Sequence, residues 1–90
     1  MDETVITKEK AQHAAMLLEQ VAHGELDASA ALLQWPDDQD RNLLIDASWH
    51  DLKHFAIDAD IQAEDPDYGM AQIKRLLKRA SEIRAEFHLT

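Results

Sequence analysis

Three groupings of side chains in this chain could carry chemistry: an Asp–His–His series, a dense run of acids, and a basic stripe near the end. His50 and His54 are four residues apart, and Asp46 lies four residues before His50. On a helix that spacing puts two imidazoles and a carboxylate on one face, a donor set suited to zinc or nickel. The pattern lacks the glutamate that follows the first histidine in helical zinc proteases. The stretch HFAIDADIQAEDPDYG, residues 54–69, can be tested as a calcium loop. Counting from Asp58, position 3 is Asp60, but positions 5, 6 and 12 are Gln62, Ala63 and Gly69. The turn glycine and the closing bidentate glutamate are therefore missing. The expectation is a chain that needs no cofactor, with Asp46, His50 and His54 as the alternative metal set.

Nucleophilic catalysis is harder to build. There are no cysteines, and Ser48 falls on the apolar side of its helix while His50 points away from it. Two glycines cannot supply a nucleophile elbow or a phosphate-cradling loop. The chain reads as a non-enzyme.

Charge is the more informative signal. Eighteen acids against nine Lys plus Arg give a net charge of -9, which repels nucleic acid and anionic membranes and favours a basic protein partner. Residues 37–65 contain Asp37, Asp38, Asp40, Asp46, Asp51, Asp58, Asp60, Glu64 and Asp65 against only Arg41 and Lys53. Residues 66–90 are mildly basic, with Lys74, Arg75, Lys78, Arg79 and Arg84. The four that start at Lys74 lack the interleaved aromatics of a nucleic-acid face and read as a solvated stripe that pairs with the acidic segment. Asp65 has a capping duty. The remaining acids, with Tyr68 beside them, form the expected partner-binding set: Asp37, Asp38, Asp40, Asp46, Asp51, Asp58, Asp60, Glu64 and Tyr68.

The elements that position these residues are helical. Alanine, leucine, glutamate, glutamine and lysine are abundant, and glycine and proline are scarce. The first helix is expected from an N-cap at Thr7 to a stop before Gly24, with Ala11, Ala14, Leu18, Val21 and Ala22 on one stripe. A short second helix follows Asp27 and ends at Pro36, its apolar side supplied by Leu32, Leu33 and Trp35. The aspartates of PDDQD are expected to cap a third helix carrying Leu44, Ile45, Ser48, Trp49, Leu52, Phe55 and Ala56 inward. Asp65, Pro66 and Asp67 open the last helix, whose stripe is Ile73, Leu76, Leu77, Ala80, Ile83 and Phe87. The expected fold is an all-α, single-domain, antiparallel four-helix bundle spanning residues 1–90, with its first few residues frayed. No apolar run approaches a membrane span, and MDETVITKEK has no signal-peptide core, so a cytoplasmic location is expected.

The run LLEQVAHGELDASAALLQW, followed by HFAIDADIQAEDPDY and a basic amphipathic closing helix, resembles the small helical immunity proteins of the colicin D type. The matching positions are Ala28, Phe55, Asp58, Asp60 and Tyr68. It is similar as well to small bacterial proteins with no assigned function. The immunity-protein resemblance implies a helical bundle that uses an acidic surface to block the basic active site of a tRNA-cleaving toxin.

Overall fold

Proline, glycine and a few short polar side chains punctuate the helices. The computed structural model describes residues 8–36 and 42–89. Among them are five helices and no strand: α1 (Lys8–Ala22), α2 (Ala28–Gln34), α3 (Leu43–Ile57), α4 (Ala59–Glu64) and α5 (Pro66–Glu86). Thr7, the first few residues, and Asp37, Asp38 and Asp40 lie outside the described residues.

The end of α1 shows what glycine contributes. Gly24 takes φ +75°, which brings its N–H to the Val21 carbonyl at 3.1 Å and the Glu25 N–H to the Gln20 carbonyl at 2.8 Å. That pair of bonds satisfies carbonyls the helix leaves open. The end of α5 repeats the arrangement without a glycine. His88 adopts φ 57°, and the Leu89 N–H reaches the Arg84 carbonyl at 2.7 Å. Asp27 caps α2 through the Ser29 N–H, and Asp65 caps α5 through the N–H groups of Asp67 and Tyr68, with Pro66 at the first helical position. The cap of α3 differs from expectation. Asn42, rather than an aspartate of PDDQD, accepts from the N–H groups of Leu44 and Ile45 at 3.0 and 3.1 Å.

The connection expected between the third and last helices is itself helical. Asp58 at φ −87°, ψ 21° leaves the helical region and interrupts the chain of helical bonds: its N–H closes α3 on the His54 carbonyl, its carbonyl opens α4 by accepting from the Gln62 N–H, and Gln62 Nε2 takes the Phe55 carbonyl. Ala59, Ile61, Gln62, Ala63 and Glu64 favour helix or tolerate it, so α4 forms although it buries none of its residues. It stops at Asp65, whose extended backbone suits the residue before a proline. Buried Gly69 of α5 faces Gln62 of α4, where an added Cβ would make ordinary van der Waals contact at 3.4 Å.

Packing makes the four longer-range elements an antiparallel bundle with α4 as an added turn. The direction of α3 against α5 follows from side-chain partners: Asp51 meets Arg79, while Asp58, further along α3, meets Gln72 and Tyr68, earlier in α5. The most extensive pairing is α1 along α5. The buried core comprises Ala11, Ala14, Ala15, Leu17, Leu18 and Val21 of α1, Ala31 of α2, Ile45 and Leu52 of α3, and Leu76, Ala80 and Ile83 of α5. Ser48 is fully buried among them because its hydroxyl donates to the Leu44 carbonyl at 2.8 Å. Outside the core, Arg84 forms a two-pronged ion pair with Glu19, at 2.9 and 2.7 Å, binding α5 to α1.

Three expected core positions differ. Leu33 is 89% exposed, because α2 is only two turns long and buries Ala28 and Ala31 in its place. Trp49 is half-buried at the edge of α3, with the Lys53 Nζ 5.1 Å from its ring centre and the His50 ring edge-on at 5.1 Å. Leu77 packs on the core from its margin, and Leu76 occupies the centre.

Two outcomes follow from this packing. Leu76→Ala should lower unfolding free energy by about 2–5 kcal/mol, measured by urea denaturation, since it empties a fully enclosed site. Glu19 carries the pH signal: the hydrogen bonds from Arg84 hold its carboxyl below the ordinary glutamate range. A carboxylate lowered by folding stabilises above its unfolded pKa and loses that contribution as pH falls through the folded one. Glu19→Gln should therefore lower the unfolding free energy at neutral pH by no more than about 1 kcal/mol, read as a lower melting temperature, because solvent screens this partly exposed pair. The gap between variant and parent should close in acid.

Candidate functional site

The acids of α3 and α4 divide into those the fold consumes and those it leaves open. Asp51, midway along α3, faces the basic side of α5. Its Oδ2 accepts from Arg79 Nε at 2.6 Å, and Arg75 Nη1 stands 3.9 Å from its Oδ1. Arg79 also reaches Glu82 at 3.3 Å, and its guanidinium pKa is raised chiefly by the Asp51 hydrogen bond. The expected pairing of the basic stripe with α3 is thus present through Arg75 and Arg79, while Lys74 and Lys78 remain exposed.

Asp58 anchors a second network at the α3–α4 junction. Its Oδ2 accepts from the Tyr68 hydroxyl at 2.7 Å and from Gln72 Nε2 at 3.1 Å. Gln62 of α4 donates to the Phe55 carbonyl at 3.0 Å and to Gln72 Oε1. An acid that looked idle in the sequence therefore joins α3, α4 and α5. Its replacement by lysine is not neutral for the fold, because it sets a cation where Tyr68 and Gln72 present donors. Tyr68 is 38% exposed, its ring open to solvent while its hydroxyl is held by Asp58.

Asp60, Glu64 and Asp67 are exposed and make no ion pair or side-chain hydrogen bond. Within α4, Asp60 and Ile61 lie four and three residues before Glu64, which puts these three on one side of that helix, and Ile57 closes α3 just before it. Ile57 is 65% and Ile61 46% exposed, so apolar surface is interleaved with unpaired carboxylates. Isolated exposed apolar residues are ordinary; here exposed Ile61 stands between Asp60 and Glu64, which makes the side of α4 both apolar and acidic.

Asp46, in the first turn of α3, is half-buried. It does not assemble with His50 and His54 into a metal site: among the described residues no three His, Asp or Glu side chains gather around one point. The reason is helical rise, since residues eight apart are separated by about 12 Å along the axis. His50 lies against the Trp49 ring, and His54 joins Asp51, Tyr68, Ala71, Gln72 and Arg75 around an open recess of about 270 Å³ between α3 and α5. That recess is below the roughly 300–1,000 Å³ of ordinary small-molecule pockets and is of side-chain size. Gln72, Ala71 and Arg75 are site residues that the sequence reading missed, for they become neighbours only through the register of α3 on α5. Among the described residues no helix is long and apolar enough to cross a membrane.

Tyr68 reports on the junction directly, being the only tyrosine in the chain. Its phenol is raised above the ordinary value, first by hydrogen bonding to Asp58. Spectrophotometric titration should show ionisation above the usual tyrosine range, and Asp58→Asn should bring it down. Because the folded value is the higher one, the contact is complete below the ordinary phenol pKa and is lost as pH rises through the folded value.

No family model, curated protein or solved structure matches the chain.

Proposed function

We propose that the protein is an acidic interaction module that takes a basic protein partner, in the manner of an inhibitor covering a nuclease-like active site. The observation that carries this reading is the side of α4 formed by Asp60, Ile61 and Glu64, where carboxylates without partners among the described residues adjoin exposed apolar surface, with exposed Ile57 closing α3 just before it. A contact that combines the two gains affinity from desolvated apolar area and gains orientation and association rate from charge. Carboxylates on such a face can stand where phosphates meet Lys and Arg in a nucleic-acid enzyme. The resemblance to immunity proteins of the colicin D type points the same way through Asp60 and Tyr68. Asp51 and Asp58 serve this reading less directly, as supports of the surface.

The test uses affinity capture from source cells with the parent and with Asp60→Lys/Glu64→Lys. The parent should retain a protein of net positive charge, and the retained amount should fall steeply with added salt. The double variant should keep its helical circular dichroism and melting temperature, since neither side chain has a partner, yet lose the captured protein. Retention by the double variant equal to the parent at low salt would reduce the acidic face to a solvated one.

A further inference from the structure

We propose that the recess between α3 and α5 receives one arginine side chain of that basic partner, an inference that rests on the interaction reading above. Its chemistry is that of a guanidinium receptor. The walls are Asp51 and His54 on one side and Tyr68, Ala71, Gln72 and Arg75 on the other, and the volume of about 270 Å³ suits one long side chain. Small Ala71 leaves room for the stem, and the Tyr68 ring offers a face on which a planar cation can stack.

Hydrogen-bond accounting sets the sign of the ligand. The Tyr68 hydroxyl and Gln72 are committed to Asp58 as donors, and their own oxygens accept from Gln72 Nε2 and from Gln62 respectively, so the acceptor left for a ligand in the recess lies on Asp51. Asp51 gives Oδ2 to Arg79 and keeps Oδ1 without a hydrogen bond. Arg75 marks the place. Its side chain is 67% exposed, and at 3.9 Å from Oδ1 it is too far to bond, so an incoming guanidinium can displace it at little cost. An anion would find only Arg75 and His54 as donors, within a chain of net charge -9. Arginine is preferred over lysine because a fork can engage Asp51 while stacking on the ring, which a point charge cannot do.

The experiment is a nuclear magnetic resonance titration of the full chain with blocked argininamide, blocked lysinamide and inorganic phosphate. Argininamide should give saturable shifts centred on His54, Tyr68, Ala71 and Gln72, with lysinamide about tenfold weaker, a difference of about 1.4 kcal/mol. Ala71→Phe fills the recess without altering charge and should abolish the response. Arg75→Ala removes the internal competitor and should tighten argininamide binding several-fold, an effect opposite to that of simply losing a side chain from the site. Equal, dispersed responses to both cations, a phosphate response at His54 and Arg75, or unchanged affinity in Arg75→Ala would each overturn the proposal. A captured partner that is lost on Asp60→Lys/Glu64→Lys but bound equally by Ala71→Phe overturns the recess alone and leaves the interaction reading standing.

Discussion

The close approach of α1 to α5 governs the rest of the molecule. Ala11, Ala14 and Ala15 on one side and Ala80 on the other present little more than backbone and methyl groups at the buried seam. Interaxial distance depends on the side chains at the contact, so small residues draw two helices together. Alanine also gives the highest helix propensity, which partly offsets the small apolar area each one buries. The larger residues Leu17, Leu18, Ile45, Leu52, Leu76 and Ile83 then fill the remaining space as one continuous core. The result is a rod of 49 × 23 × 20 Å, about two helix diameters thick.

Charge is apportioned around that seam in a definite way. Glu19 with Arg84, and Asp51 with Arg79, are ion pairs between helices that are far apart in sequence and adjacent in space. Asp58 replaces a cation with two neutral donors, Tyr68 and Gln72, so the junction of three helices is held while its negative charge stays uncancelled. Asp60 and Glu64 lie just beyond on α4, a helix that contributes nothing to the core. The acidity of the middle segment is thus part scaffold and part open surface. Total charge alone could not have separated the two.

Local signals were legible where one or two residues determine the backbone. Gly24 ends α1, Asp65 and Pro66 open α5, and the stripe from Leu76 to Ile83 faces inward as its spacing requires. What escaped were features that depend on competition between elements. Segment 59–64 has no apolar stripe, and its helix opens on the Asp58 carbonyl and is tied by Gln62 to the Phe55 carbonyl of α3 and to Gln72 of α5. Leu33 and Trp49 have core-type side chains, but the bundle is too narrow to enclose them once Ala31 and Leu52 have taken the centre. The recess shared by Asp51, His54, Tyr68 and Gln72 depends on how far α3 slides along α5, which no periodicity within either helix specifies. The carboxylates of 37–65 were visible as a group; their division into bound and unbound members required the coordinates of their partners.

The pairing of α1 with α5 has a kinetic meaning. Glu19 and Arg84 are 65 residues apart, so the largest helix interface joins the two ends of the described chain. The α4–α5 hairpin and the end of α3 meet across a few residues and can form early at small entropic cost. Closing α1 onto α5 must wait until the intervening helices have shortened the distance between them, and contacts of such separation slow folding. On a ribosome, α1 emerges first yet has no proper mate until α5 has been synthesised. Its alanine-rich face suits that interval, because it exposes less apolar surface than a leucine stripe would while it waits.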